Sequence, residues 1–377
     1  MKTDSTRFVY ADLLRGWALI VMIEVHVFNA FLIPSLKETS WFEVLNFING
    51  LVAPSFLFIS GFAFIISSER RIDDLRKFGI YFWNKLSRIF LIFLAGYSLH
   101  LPYFSFYKVI NKTSLPQLIT WFNVDILQCI AAGLMFLLVL RIVIKSDKLF
   151  YGLIITITIL ISLISPVIWK IEFTDYLPVF FANYLNKSHG SFFPLFPWLF
   201  FLLAGAVFSR YYVISRNKNG ERYFIKQIFI YSIIVIAFCR LFLSGIFNTS
   251  LMTIRPNPFF LYERLGYVLS LGVFFWYYSV KRNTKKSFVL DVSRESLLIY
   301  WLHLEIIYSK VWGGKSLEEL VSDTFNVLEC SAATLLLIVL MIIVAKLWGS
   351  FKKKYQIYTK PVTEGIITLA VIIFLLI

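Results

Sequence analysis

The first apolar stretch carries the densest set of residues able to do chemistry. Residues 11–32 read ADLLRGWALIVMIEVHVFNAFL and hold Asp12, Arg15, Glu24 and His26. On a helix Asp12 and Arg15, three positions apart, share a face. His26 follows Arg15 by eleven positions, close to three full turns, and returns to the same face ~16 Å further along the axis. Glu24 points ~160° away from His26. An imidazole that titrates near neutrality can take a proton from a hydroxyl or an amine. The same ring can equally be a neutral packing group hydrogen-bonded between helices.

A second histidine, His303, sits in LLIYWLHLEIIY with Tyr300 on roughly its face and Ser296 about two turns back. It reads either as packing or as part of a site, and an oxyanion donor could come from His303, Tyr300 or an arginine. His100 and His189 are weaker candidates. Arg240, Glu263 and Arg264 fall where two apolar runs approach their outer ends. They either snorkel to headgroups or form a polar floor for an external substrate. Four histidines without HExxH or a cluster of acids argue against a metal site. No P-loop or dinucleotide glycine pattern occurs.

These residues are embedded in elements that composition defines. Hydrophobic residues make up 59% of the 377, and charged residues only 16%, against roughly 25% in soluble domains. A soluble enzyme and a disordered or fibrous chain are excluded. Eleven apolar spans, each long enough to cross a bilayer, fall at roughly 12–33, 47–67, 87–107, 124–144, 149–169, 192–212, 226–245, 259–280, 295–312, 328–348 and 362–377. The ninth is short and the last ends with the chain, so ten or eleven crossings are expected. The expected fold is an all-α polytopic membrane bundle forming a single domain over residues 1–377, with the last one or two spans in 313–377. Ionisable residues within such spans cost about 2.5–3.5 kcal/mol each for Arg near a helix centre, which makes them functional candidates.

The basic residues set the orientation. With the N-terminus inside, the inner segments hold 26 lysines and arginines and the outer segments 7, alternating loop by loop. Segments near Arg70, Lys218, Lys285 and Lys353 are therefore expected in the cytoplasm. The net charge of +15 reads as loop retention rather than nucleic-acid binding, because the basic residues sit in short clusters between apolar runs. One cluster, Arg70, Arg71, Arg76, Lys77, Lys85 and Arg88, precedes the third span. It reads as charge anchoring along the interface or as a site for cofactor phosphates together with Arg15. Cys129, Cys239 and Cys330 lack metal or redox spacing and read as small apolar residues. The first span has no separate cleavage pattern and is expected to be retained. Ser60–Gly61 in the second span permits close helix approach. Pro194 and Pro197 stand at the head of the sixth span, where a missing N–H is tolerated.

In the order they occur, several of these stretches resemble the membrane-bound acyltransferase-3 superfamily. The first span carries Asp12, then Leu14–Arg15–Gly16, then His26 after ten intervening residues. APSFLFISGFAF (53–64) is similar to the second-span motif, the basic 70–88 stretch to the approach to the third span, and SRESLLIYWLHL (293–304) to the late motif. DILQCIA (125–131) and FFPLFPWLFFLLAG (192–205) look closer to the heparan-α-glucosaminide N-acetyltransferase-like branch. The resemblance covers residues 1–312. Trp17, Glu24 and the lack of an esterase-like outer domain depart from it.

The resemblance implies an acyltransferase with no tightly bound cofactor. Its co-substrate would be cytoplasmic acetyl-CoA or another acyl-CoA, and its acceptor a sugar hydroxyl or amine on an extracytoplasmic glycan or lipid-linked sugar. It places His26 at the catalytic position and Arg15 at the family's arginine position, in a multi-pass protein of the cell (inner) membrane. Lipids are the other expected partners, nucleic acid is not one, and a homodimer is left open. The rival class is a secondary transporter or lipid-linked-sugar flippase, whose duplicated halves and paired broken spans are not evident. A non-catalytic membrane scaffold would leave the Asp12, Arg15, His26 and His303 pattern unexplained.

Overall fold

The computed structural model describes residues 8–246, 250–282, 287–310, 312 and 314–376. The basic segment around Lys285 lies outside them. Within the described residues eleven principal helices follow one another: α1 (Val9–Phe31), α2 (Val52–Glu69), α3 (Ile80–Leu99), α4 (Ile126–Val143), α5 (Asp147–Ile168), α6 (Leu195–Asn217), α7 (Glu221–Leu243), α8 (Pro258–Lys281), α9 (Ser296–Tyr308), α10 (Val327–Lys354) and α11 (Gln356–Leu376). Among the described residues there is no β-strand, only two isolated bridges. The protein is a polytopic helical membrane bundle.

Among the described residues, eight helices are long and apolar enough to cross a membrane: α2 with the preceding Ser40–Asn49 turns, α4 to α8, α10 and α11. Two more have spanning length but carry charge, α1 through Asp12, Arg15 and Glu24, and α3 through Lys85 and Arg88. The ninth, α9, is apolar but has only 13 residues. Together they account for the eleven apolar runs. Helix boundaries follow local chemistry. Asp125 accepts the Ile126 amide at 2.6 Å at the head of α4, and Asn326 and Glu329 close a capping box on α10. Three lysines, Lys352–Lys354, fill the last turn of α10, where the helix dipole favours cations.

The chain divides into two compact units, and the division falls inside α1, between Leu14 and Arg15. The first unit holds α2, α4 to α8 and α3 as far as Gly96. Its close crossing is α2 on α6. A Cβ added at Gly61 would lie 1.9 Å from the Leu202 carbonyl oxygen, and one at Gly205 would lie 1.9 Å from that of Phe58. Only residues without a side chain let two backbones approach this closely. Beside Gly61, Ser60 turns its hydroxyl back to the Phe56 carbonyl at 2.7 Å. Pro194 is the N-cap of α6, and Pro197, the third residue of α6, is buried.

The second unit holds α1 from Arg15 onward, the residues from 97 to 121, and α9 to α11 with the short helix Phe288–Arg294. That short helix packs against α10, and Lys352 on α10 donates to the buried Glu295 carboxylate at 2.6 Å. Glu295 interrupts the helical path between Phe288–Arg294 and α9.

Candidate active site

Within the second unit, α1 lies beside the run from Phe288 to Tyr308. Gly16 makes the approach: a Cβ there would meet the Val289 carbonyl oxygen at 2.3 Å. Next to it, Arg15 Nε donates to Ser293 Oγ at 3.0 Å, and Ser293 is buried. Three turns along α1, His26 Nδ1 lies 3.2 Å from the Tyr308 hydroxyl. The His26 ring is also centred 5.4 Å from the His303 ring. Arg15 and His26 thus meet the same partner segment in the same order, and the two helical paths run in parallel.

His303 is fully buried. Its Nδ1 lies 2.8 Å from the Ile299 carbonyl oxygen, one turn earlier on α9. A carbonyl can only accept, so Nδ1 carries the hydrogen and a neutral His303 presents a lone pair at Nε2. That Nε2 is buried and has no hydrogen-bond partner among the described residues. Tyr300 packs edge-on against His303 with centres 5.6 Å apart, and Trp301 Nε1 donates to Ser98 Oγ at 2.8 Å. Beyond the end of α1, the Ile33 amide donates to the Phe325 carbonyl at 3.0 Å and the Phe325 amide to that of Phe31 at 2.9 Å. Lys37 pairs with Asp323 at 2.8 Å. The site is an imidazole pair on two parallel helices with a phenol at one edge.

The basic cluster belongs to the first unit, where its members have unequal fates. Arg76 Nη2 donates to the carbonyls of Arg141 and Ile144 at 3.2 and 3.0 Å, so it closes the C-terminal end of α4. Arg71 pairs with Asp74 at 2.7 Å and covers the Tyr81 ring. Lys85 donates to Ser67 Oγ at 2.5 Å and to Ser68 Oγ at 3.0 Å. Arg70, Lys77 and Arg88 are exposed. Asp12 is buried in the same unit.

Arg240, Glu263 and Arg264 also lie in the first unit. Arg240 on α7 pairs with the buried Glu263 on α8 at 2.5 Å, and Arg264 lies over the Phe260 ring at 4.7 Å. In the loop after α5, Glu172 accepts from Thr174 Oγ1 at 2.7 Å, from His189 Nε2 at 2.8 Å and from the Thr174 amide at 3.2 Å. These bonds, the Thr174 hydroxyl first, hold the Glu172 carboxyl down at about 2.

Sequence reasoning passed over two residues. Tyr308 follows His303 by five positions, about 140° around a helix, so no periodic pattern points to it. It is the last residue of α9. Arg141, which no motif singles out, is 2% exposed and bridges Glu69 at 2.9 Å and Asp147 at 2.6 Å. The acids flanking it at the ends of α2 and α5 were the available signal.

No curated protein matches the chain. Residues 7–237, well over half its length, match the family described as heparan-alpha-glucosaminide N-acetyltransferase, catalytic. The match takes in Arg15, His26 and the basic cluster, while His303 and Tyr308 lie beyond it. The chain belongs to the heparan-alpha-glucosaminide N-acetyltransferase catalytic family.

Proposed function

We propose that this protein moves an acetyl or related acyl group from cytoplasmic acetyl-CoA to a hydroxyl or amine of an extracytoplasmic sugar or glycan. It would lie in the cell membrane with its N-terminus inside, a reading supported by the alternation of loop charge. Family membership supports acetyl transfer. The observation that carries the mechanism is the placement of His26, flanked by a phenol and a second imidazole on a helix whose inner end bears Arg15.

In this reading His26 Nε2 takes the hydrogen of the acceptor's nucleophilic oxygen or nitrogen as that atom attacks the thioester carbonyl. The new acyl–oxygen or acyl–nitrogen bond forms, the carbon–sulfur bond breaks, and the proton passes from His26 to the leaving thiolate. Arg15 lies three turns closer to the donor side, where its guanidinium can make charge-assisted contacts to the donor's phosphates. A neutral His303 offers a lone pair rather than an N–H at Nε2, so the developing oxyanion is stabilised by other donors.

Vesicles containing the purified protein test the reading, with labelled acetyl-CoA on one side and glucosaminides on the other. Labelled acceptor is the expected product. A folded protein that binds acetyl-CoA yet transfers nothing to any amine or hydroxyl acceptor would overturn it.

A further inference from the structure

A histidine acting as a base must keep one ring nitrogen unprotonated, and the group at the other nitrogen decides which one. His303 shows how this unit settles the question once: the Ile299 carbonyl holds the hydrogen on Nδ1. At His26 the group at Nδ1 is the Tyr308 hydroxyl, 3.2 Å away. The two rings meet edge-on, with centres 5.6 Å apart and planes at 83°. A phenol can donate or accept. As donor it would place the His26 hydrogen on Nε2 and leave no lone pair there for the acceptor. As acceptor it holds the hydrogen on Nδ1.

We infer that Tyr308 is the positioning residue of this site: its oxygen accepts the His26 Nδ1–H, fixing the tautomer and ring angle that leave Nε2 as the base. The inference rests on the function proposed above for its catalytic meaning, but the tautomer itself is observable without turnover. During transfer the same oxygen keeps the Nδ1–H partnered while His26 carries the acceptor's proton. No atom of Tyr308 gains or loses a bond. Its part is comparable to that of any outer group that orients a working imidazole.

The test uses full-length protein in lipid vesicles, labelled with ¹⁵N-histidine. With four histidines in the chain, His26→Gln and His303→Gln assign the two relevant resonance pairs. In the neutral wild-type protein both rings should carry hydrogen on Nδ1. Tyr308→Phe should shift His26 toward the Nε2–H form and leave His303 unchanged. It should also lower kcat about tenfold, the scale of one lost hydrogen bond, with KM for both substrates within about twofold. Tyr300→Phe, which alters a ring packed against His303, should leave the His26 tautomer in place. A wild-type His26 with its hydrogen on Nε2 overturns the inference even if Tyr308→Phe fails to fold. So does a Tyr308→Phe protein with an unchanged His26 tautomer. Wild-type protein with the expected tautomer but no transfer activity would sink the proposed reaction while leaving the Tyr308 contact standing.

Discussion

Arg15 Nε donates to Ser293 Oγ at 3.0 Å across a sequence separation of 278 residues. The bond fixes where α1 and the late helical run stand relative to each other. With that register set near the start of α1, the parallel course of the two paths brings His26 beside His303 and Tyr308. Site geometry therefore depends on Gly16, whose missing Cβ allows the Val289 backbone to come close.

The glycine crossings give a stability prediction independent of function. Gly61→Ala and Gly205→Ala each place a methyl 1.9 Å from a backbone oxygen of the facing helix. Backbone cannot swing aside as a flexible side chain would, so each should cost ~1–3 kcal/mol. Gly152→Ala meets nothing within 4 Å and should stay within about 0.5 kcal/mol of wild type. Thermal unfolding in detergent would compare the three. Equal midpoints would show that the α2–α6 approach is looser than described.

The loop after α5 gives a pH prediction. Glu172 is held at about 2, well below its ordinary 4.5, so folding favours the charged carboxylate. Its contribution is present above about 4.5 and is lost as pH falls toward 2. The protection of residues 172–190, relative to the intrinsic exchange rate at each pH, should fall over that window in wild type. Thr174→Val removes the largest cause and should weaken the dependence, and Glu172→Gln should abolish it. Protection unchanged by pH in wild type would refute the assignment.

Periodicity made part of the site legible. Arg15 and His26 lie on one face because eleven residues nearly complete three turns, and both meet the 293–308 segment. The spans were legible because the membrane demands long apolar runs. Tyr308 was hidden because it stands about 140° around the helix from His303. The bond from Arg76 to the Arg141 carbonyl spans 65 residues, and no local pattern encodes such a partner. The same holds for His303, whose lone pair at Nε2 depends on a backbone bond that composition cannot reveal.

The basic cluster separates into groups with different expected effects. Arg76→Gln removes donors from the Arg141 and Ile144 carbonyls at the end of α4 and should lower stability by ~1–2 kcal/mol without changing acetyl-CoA affinity. Substituting the exposed Arg70, Lys77 and Arg88 together by glutamine should leave the unfolding midpoint in place. It should weaken acetyl-CoA binding about tenfold and flatten its salt dependence. Calorimetry at two ionic strengths distinguishes the pair. Unchanged affinity in the triple variant would assign these residues to charge anchoring at the interface rather than to donor phosphates.

The histidine pair supplies the sharpest prediction, because the two rings touch yet differ in their bonds. His26 is the ring assigned to proton transfer, and glutamine cannot take up a proton near neutral pH. His26→Gln should fold, bind acetyl-CoA normally and lose about 10²–10⁴-fold in turnover. His303 already spends its N–H on the Ile299 carbonyl, and glutamine can supply both an N–H and an acceptor oxygen. His303→Gln should therefore lose only about tenfold, the scale of one disturbed hydrogen bond. The comparison needs transfer rates in reconstituted vesicles with donor binding measured on the same samples. If His26→Gln kept more than about a tenth of wild-type turnover while His303→Gln collapsed, the base would be His303, and α9 rather than α1 would carry the reacting group.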